Sequence, residues 1–354
     1  MNNYDNESIS SLKGAERVRQ RPAVIFGSDG IDGCQHSVFE IISNSIDEAR
    51  EGFGKKIEIH RYVDDSISVK DYGRGIPVDF NQNENCYNWQ LLFCELYAGG
   101  KFSNVDEQNY SFSLGLNGLG LCSTQYSSEY MYVEIFRDGF KYNLHFEKGE
   151  NVGGLQKSKI NLSATSTFIK WKPDREVFTS IDIPHEFFVD ILRRQAIVNA
   201  GLLFEFVDEK SDTKQNFIYQ NGIKDYINEI SADKNLTAIY FFNHEAYGKD
   251  RDDKQKYKLK FEISFCFNNE INLMEYYHNS SWLEYGGPPD KAVRSAFLSA
   301  IDNYLRENSL YKKDEKKIIF QDIEDSLILI SSSFSTSTSY ENQTKKSITN
   351  KFIQ

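Results

Sequence analysis

The sequence predicts an α+β protein with two domains, and three observations support that prediction. The chain has 354 residues, more than a single hydrophobic core usually holds. Hydrophobic residues make up 40% and charged residues 26% of it, a balance typical of packed globular proteins. Segments with helical periodicity alternate loosely with short strands of alternating polarity, and glycines separate many of them.

The first long helix has two faces of different character. An apolar stripe recurs at helical spacing along Val38, Phe39, Ile42, Ile46, Ala49 and Phe53. The other side carries Glu40, Asn44, Asp47 and Glu51. Asparagine is a poor helix-interior residue because its side chain competes for backbone hydrogen bonds. Most polar helix faces meet only water, so this stretch alone favours a solvated face over a functional one.

A hairpin is predicted next, from the alternating runs "KIEIHRYV" and "SISVKDYG" with Asp64 and Asp65 between them. The second run continues into "DYGRGIPVDF", where two glycines and a proline end regular structure. This places Asp71 at the end of a strand, with a flexible backbone behind it. A buried carboxylate in such a position can accept hydrogen bonds from an exocyclic amine, such as that of adenine.

Two glycine-rich segments follow. The run "YNWQLLFCELYAGGKFS" predicts a helix that ends at Gly99 and Gly100. The run "GLNGLG", residues 115–120, precedes a helix of small residues, and its backbone N–H groups would suit an anion such as phosphate. It is not a Walker A loop, because no Gly-Lys-Ser/Thr follows, and on its own it is equally consistent with a plain turn.

The rest of the chain continues the mixed pattern. A hairpin is predicted around Asp138 and Gly139, then the strand "STFIKWKPD" and the helix "FFVDILRRQAIVNAG", which ends at Gly201. Residues 207–216 are polar and fit either a hairpin tip or the approach to a domain boundary. The second domain then holds the strand "KLKFEISFCF", the helix "DKAVRSAFLSAIDNYLREN" and a Ser/Thr-rich run.

Composition excludes several classes of protein. The net charge is −11, so any contact with DNA would be local or made through another chain. The five cysteines are scattered and form no CxxC pair, which argues against a disulfide framework or a zinc site and favours a reducing cytoplasm. No stretch has the length of a membrane span, so no membrane partner is expected. His244 and His278 are interpreted as ordinary surface or core residues.

The order of these motifs resembles the GHKL group of ATPases, and most closely the ATPase region of the gyrase B and topoisomerase IV B family. The resemblance extends over nearly the whole chain and rests on the runs "LKGAERVRQRPAVIFG", "HSVFEIISNSIDEAREG", "KDYGRGIPVD", "LYAGGKF", "GLNGLG", "RDG", "TSTFIKWKPD", "YQNGIKDYI" and "NQTKKSITN". It implies a two-layer ATPase domain, with a mixed and mostly antiparallel sheet under helices, and a smaller α/β transducer domain. The implied boundaries are an N-terminal dimerisation arm at 1–20, the ATPase domain at 21–215 and the transducer at 216–354, truncated at its C-terminus.

The resemblance gives the polar helix face a role. Asn44 resembles the Mg²⁺ ligand of the family, and Glu40 resembles the general base that activates the attacking water. Glu40 lies one helical turn before Asn44, so both side chains can reach the same ligand. His36 would orient Glu40, whereas Asp47 would be structural or solvated. Asp71 would bind adenine.

Further residues are implied around the nucleotide. The pocket wall would consist of Arg74, Gly75, Ile76 and Pro77, with Arg74 paired to an acid such as Glu48 and with Arg137 at the rim. Thr165, in preference to Thr167, would join the water network under adenine. Tyr110 would approach from the lid loop, where Lys101 could also contact phosphate. Backbone amides for the phosphates would come from Leu116, Asn117, Gly118, Leu119 and Gly120.

Both ends of the chain have implied roles as well. Lys345, with Gln343 in the same "QTK" loop, would reach the γ-phosphate from the transducer. The composition of this Ser/Thr-rich run alone favours a flexible tail instead. Tyr4 and Ile9 lie in an arm that would swap across a homodimer and cover the partner's nucleotide. ATP binding would close such a dimer.

Departures from the family pattern leave two functions open. Tyr72 replaces an Asn, Ser111 a Lys and Ser166 a Gly, and the lid motif loses one glycine, which suggests a divergent member. The first function is the ATP-operated gate of a type II topoisomerase, which needs DNA and a DNA-cleaving subunit or a missing C-terminal region. The alternative is a stand-alone ATP-controlled dimerising clamp, an accessory or defence protein without topoisomerase activity.

Overall fold

A computed structural model describes residues 10–99, 112, 114–115, 118–161, 163–231, 234–341 and 344–354. The predicted site residues Tyr4, Ile9, Tyr110, Leu116, Asn117 and Gln343 lie outside these ranges, as does Lys101. Among the described residues, one compact unit holds those of 1–103, 115–189 and 204–216. A second unit holds those of 104–114, 190–203 and 217–354.

Both units mix helices with sheets, which confirms the predicted α+β class. The helices of the described residues are α1 (Glu16–Arg19), α2 (Pro22–Phe26), α3 (Ile31–Arg50), α4 (Asn88–Cys94), α5 (Gly120–Tyr126), α6 (His185–Val198), α7 (Ile223–Ser231), α8 (Pro288–Glu307) and α9 (Phe320–Glu324), with a 3-10 turn at Lys351–Ile353. No helix of these ranges is long and apolar enough to cross a membrane.

The larger sheet belongs to the first unit, with the strand order β11-β10-β1-β2-β9-β5-β6-β7 and β8 paired to β6. A two-stranded sheet pairs β3 with β4. The strands are β1 (Lys56–Arg61), β2 (Ile67–Asp71), β3 (Phe80–Asn81), β4 (Cys86–Tyr87), β5 (Ser128–Arg137), β6 (Phe140–Glu147), β7 (Glu150–Asn151), β8 (Gln156–Lys159), β9 (Ser166–Pro173), β10 (Leu203–Asp208) and β11 (Thr213–Phe217). The pairs β1–β2, β2–β9, β9–β5 and β5–β6 are all antiparallel.

The smaller sheet belongs to the second unit, in the order β12-β13-β16-β14-β15. Its strands are β12 (Tyr240–Gly248), β13 (Tyr257–Phe267), β14 (Leu273–His278), β15 (Ser281–Trp282) and β16 (Leu327–Ser335). Strand β16 is central, antiparallel to β13 and parallel to β14, and nearly all of it is buried. The flexible tail that composition favours for the Ser/Thr-rich run is therefore wrong for its residues 331–335, because they lie in a central strand with neighbours on both edges.

Packing of α3 on β1 and β2 forms part of the first unit's core. Val38, Ile42 and Ile46 are buried on the predicted apolar stripe. The polar side of the helix is buried as well, since Glu40 is 4% and Asp47 2% exposed. A merely solvated polar face is therefore wrong, because burial of carboxylates is costly unless other groups satisfy them.

The sequence placed the end of α4 too late. The helix ends at Cys94 rather than at Gly99 and Gly100, and Glu95 is already extended. The hydroxyl of Tyr126 donates a hydrogen bond to the Cys94 carbonyl, so a side chain from α5 satisfies the helix end. The polar run at 207–216 contains the tip of a hairpin, because β10 and β11 are neighbours in the sheet.

Candidate active site

The carboxylate of Glu40 lies against the first residue of α5. A Cβ atom added to Gly120 would stand 1.9 Å from Glu40 Oε2 and 2.7 Å from its Cδ. Only glycine fits at this position while Glu40 keeps its place. The carboxylate thus lies beside the backbone at the start of a helix, where N–H groups lack intrahelical partners.

Two neighbours on α3 fix the surroundings of Glu40. His36 Nε2 lies 3.3 Å from Glu40 Oε1, one turn earlier on the same helix. Asn44 Nδ2 donates a hydrogen bond of 3.0 Å to the Glu40 carbonyl, one turn later. The three predicted residues are therefore together, with the imidazole beside the carboxylate and the amide nitrogen of Asn44 committed to the backbone.

Asp71 ends β2 and is only 8% exposed. Its Oδ2 accepts a hydrogen bond of 3.0 Å from Ser45 Oγ, and its Oδ1 accepts one of 3.0 Å from the Gly73 N–H. Burial raises the pKa of Asp71 to about 6, although these hydrogen bonds oppose the rise. Sequence reasoning missed Ser45, whose signal is a serine within a helix, where this residue is a weak helix former.

The residue opposite Asp71 is Thr167, not Thr165. In the β2–β9 register Asp71 pairs with Thr167, which is 5% exposed. The Ile76 N–H donates to Thr167 Oγ1 at 3.3 Å, so this hydroxyl also contacts the loop after Asp71. Thr165 precedes β9 and is half-buried. The strand register thus places Thr167, and not Thr165, opposite Asp71, which favours Thr167 over the predicted Thr165 as the threonine of this site.

A bidentate ion pair holds the loop after Asp71. Arg74 Nε and Nη2 lie 2.7 and 2.9 Å from the two carboxylate oxygens of Glu48, which also accepts the Arg74 N–H at 2.9 Å. The Arg74 guanidinium also stacks 4.0 Å from the Phe53 ring centroid. Gly73 fits beneath this pair, since a Cβ there would be 2.2 Å from Glu48 Cγ.

The next residues of the loop pass under β5. Gly75 has a φ of +76°, and a Cβ there would stand 2.6 Å from the Phe136 carbonyl. Arg137 Nη1 donates to the Gly75 carbonyl at 2.7 Å, so this predicted rim arginine holds the loop. Ile76 is half-buried and Pro77 is exposed. These contacts fix the backbone that follows Asp71.

The glycine segment is joined to the same centre. The Gly115 N–H donates to Asp47 Oδ2 at 3.1 Å, so Asp47 is a structural acid rather than a solvated one. Gly118 has a φ of +59°, and its carbonyl accepts the Tyr97 N–H at 2.9 Å. Leu119 is buried directly before α5. The start of α5 is therefore fixed next to Glu40.

A polar chain behind the site connects α3, α5 and β9. Thr124 Oγ1 donates to the Ser37 carbonyl at 3.1 Å, and Trp171 Nε1 donates to the Thr124 carbonyl at 3.0 Å. All three residues are buried. The elements that carry Glu40, Gly120 and Thr167 are thus connected by hydrogen bonds as well as by packing.

Lys345 lies in the second unit and is 5% exposed, with a φ of +59°. Tyr340 and Ile348, on either side of Lys345 in the sequence, form an antiparallel β-bridge. The site residues of the first unit and Lys345 belong to different compact units.

No group of three or more His, Cys, Asp or Glu side chains suited to a metal occurs in the described part of the chain. Next to Glu40, helix α3 instead offers the amide side chain of Asn44, whose nitrogen already donates a hydrogen bond to the Glu40 backbone carbonyl. The amide oxygen of Asn44 is the kind of ligand that Mg²⁺ accepts, and Mg²⁺ commonly takes its other ligands from nucleotide phosphates and water.

Three comparisons relate the chain to known proteins. Residues 222–354 match the family model described as DNA gyrase B. The DNA gyrase B protein of Mycoplasma genitalium is 32% identical over 365 residues, covering 99% of this chain and 54% of that protein. The DNA topoisomerase IV B protein of Streptococcus pneumoniae is 28% identical, covering 93% of this chain and 50% of that protein. The chain thus spans about half the length of the curated relatives it matches.

Solved structures have the same fold. The topoisomerase IV ATP-binding domain of Francisella tularensis, in complex with a small-molecule inhibitor, has a TM-score of 0.73 at 26% identity, covering 97% of this chain and 88% of that one. The 43K ATPase domain of Thermus thermophilus gyrase B, in complex with an aminocoumarin, has a TM-score of 0.74 at 24% identity, covering 97% and 86%.

Proposed function

This chain belongs to the ATPase region of the gyrase B and topoisomerase IV B family, and from that premise we propose that its first unit binds ATP with Mg²⁺ and hydrolyses it. The observation that supports this most is the pair of buried carboxylates, Asp71 and Glu40, each in a distinct setting. Asp71 has hydroxyl and amide neighbours, whereas Glu40 faces a histidine and the start of a helix.

Asp71 selects the base. Its ionised carboxylate accepts a hydrogen bond from the adenine amino group, and Thr167 joins it through ordered water. Ser45 and the Gly73 N–H hold the carboxylate in place. The Glu48–Arg74 pair keeps the wall formed by Gly75, Ile76 and Pro77 in position beside the base.

The glycine segment binds the phosphates. In this proposal, taken from the family resemblance, the triphosphate binds near the start of α5 to the backbone N–H groups of residues 116–120, and Tyr110 belongs to the lid. The amide oxygen of Asn44 would hold Mg²⁺, which would supply positive charge against the phosphates. From the family resemblance we also propose that the loop containing Gln343 and Lys345 contributes the positive charge of Lys345 to the γ-phosphate.

Glu40 acts as the general base. It accepts a proton from water as the water oxygen bonds to the γ-phosphorus and the bond from that phosphorus to the bridging oxygen of ADP breaks. His36 contacts the other side of the carboxylate and orients it. The small space left by Gly120 keeps the carboxylate beside the phosphate-binding backbone.

ATP binding closes a homodimer through the arms that carry Tyr4 and Ile9. Such a dimer is a gate for DNA if a DNA-cleaving subunit or a further C-terminal region accompanies the chain. The cell compartment is the cytoplasm, in keeping with five free cysteines.

The test is steady-state ATP hydrolysis by the purified chain over a concentration series, beside Glu40→Gln. We expect a rate that rises faster than linearly with protein, and a loss of roughly 10²- to 10⁴-fold in kcat for the variant. Glu51→Gln, at the end of the same helix face, is the control and keeps the full rate. Binding of a non-hydrolysable ATP analogue should be unchanged in Glu40→Gln.

Two outcomes would contradict the proposal. Wild-type rates in Glu40→Gln would remove Glu40 as the base. Tight Mg²⁺-dependent ATP binding without hydrolysis by the native chain would favour the clamp function over the ATPase.

A further inference from the structure

Strand β12 is an edge strand of the smaller sheet in the second unit. It is the terminal strand of the smaller sheet, and it pairs with β13 along all nine of its residues without a register shift. Among the described residues, no strand pairs with its other side. A regular edge of this length presents a row of backbone donors and acceptors to any added strand.

The sequence of β12, "YFFNHEAYG", contains none of the usual edge protections. It has no Lys, Arg or Pro, and its single charged residue is Glu245. Glu245 is ion-paired with Lys258 at 2.7 Å and with Lys260 at 3.0 Å on β13, so the strand adds little net repulsion. Natural edges commonly use lysines, prolines or bulges to prevent pairing, and β12 contains none of these three.

Large aromatic side chains remain exposed along the same edge. Tyr240 is 45% and Phe242 56% exposed, and both rings lie against Phe265 of β13. Tyr247 is 62% exposed. Rings already held by a neighbouring strand lose little freedom when a further strand packs on them.

The strand is complementary to itself in one antiparallel register. Full overlap of two copies places the two-fold axis at His244, the middle residue. Tyr240 then faces Gly248 across the axis, where the Phe352 ring already lies over the glycine, and Phe242 faces the small residue Ala246. On the other face Phe241 meets Tyr247, and Asn243 meets Glu245 as a hydrogen-bonding pair.

We propose that β12 pairs antiparallel with β12 of a second copy of this chain, joining two smaller sheets into one continuous sheet. This contact needs no nucleotide and does not involve residues 1–20. It is therefore separate from the ATP-dependent dimer proposed above, and either one can fail without the other.

Sedimentation velocity of the full chain without nucleotide, over a concentration series at about 0.15 M salt, tests the contact. We expect reversible dimers. Asn243→Glu places two carboxylates opposite each other on both sides of the axis and should weaken dimerisation roughly tenfold. Asn243→Lys places a cation opposite Glu245 twice and should strengthen it.

The double variant Asn243→Lys with Glu245→Gln removes the acid that faces position 243 in this register, so it should lose the gain of Asn243→Lys. Asn269→Glu, on an exposed loop of the same unit, should leave dimerisation unchanged. Circular dichroism melting checks that each variant is folded. A chain that stays monomeric without nucleotide, or equal effects of Glu and Lys at position 243, would overturn the proposal.

Discussion

At the scale of single residues, Asp71 sets a pH limit on nucleotide binding. Burial raises its pKa to about 6, above its usual value of 3.8, so the native protein holds this proton more tightly than the unfolded chain does. Only the ionised carboxylate is a pure acceptor for an amino group. We expect ATP affinity to be constant above about pH 7 and to fall up to roughly tenfold per unit below about pH 6, as measured by calorimetric titration.

The same shift has a consequence for stability. Because the folded-state pKa is raised, the free energy of unfolding decreases as pH rises from about 4 to about 6 and is constant above that range. Asp71→Asn removes this dependence and should raise the melting temperature at neutral pH while abolishing ATP binding. Asp212→Asn, at an exposed acid in the turn between β10 and β11, is the control. Retained ATP binding by Asp71→Asn would exclude adenine recognition by this side chain.

The sequence indicated candidate site residues more readily than the residues that contact them in the folded protein. Asp71 was singled out as a carboxylate at a strand end before glycines, and Glu40 and Asn44 were singled out by the resemblance to the family. Ser45 and Thr167 did not follow, because their contacts with Asp71 depend on how α3 packs on β2 and on the β2–β9 register. Register and packing are properties of the folded sheet, and a single sequence encodes them only weakly.

At the scale of elements, Gly120 links α5 to α3. A Cβ there would overlap Glu40 Oε2, so Gly120→Ala should displace the carboxylate and reduce kcat by roughly 10²-fold or more. Alanine favours helix by up to about 1 kcal/mol over glycine, so the variant should stay folded. Gly30→Ala, before α3, meets no atom closer than 3.3 Å and should keep nearly full activity. Steady-state kinetics with thermal melting separates the two variants, and an active Gly120→Ala would refute the packing argument.

Helices and strands were predicted well where local periodicity determines them, as in α3, β1, β2 and the β5–β6 hairpin. The hairpin turn has positive φ at both Asp138 and Gly139, which this residue pair readily adopts. The end of α4 was not predictable, because its last carbonyl is satisfied by Tyr126 from a distant element. The serines of β16 suggested a tail, yet the strand is central because Leu327, Ile328, Leu329 and Ile330 precede them.

At the scale of the molecule, acid stability of the first unit depends on a cluster around Asp208. Its side chain is fully buried, and its carboxylate accepts hydrogen bonds from Arg61 Nη1 at 3.0 Å and from His185 Nδ1 at 2.7 Å. These contacts connect β1, β10 and the start of α6. Burial opposes ionisation, but hydrogen bonds from His185, Ser211 and Arg61 outweigh it and lower the pKa of Asp208 to about 2.

A carboxyl group whose pKa is lower in the folded protein than in the unfolded chain stabilises the fold at pH values above its unfolded-state pKa. This stabilisation is lost as the pH falls through the folded-state pKa. The contribution of Asp208, about 2 kcal/mol, should therefore be complete at neutral pH and disappear between about pH 4 and pH 2. Asp208→Asn should unfold at lower urea concentration at neutral pH and show a flatter decline over that acid range. Asp182→Asn, a largely exposed partner of Arg61, should have a much smaller effect, since solvent screens its ion pair. If the two variants unfold at the same urea concentration, the buried ion pair of Asp208 contributes no more to stability than the exposed ion pair of Asp182.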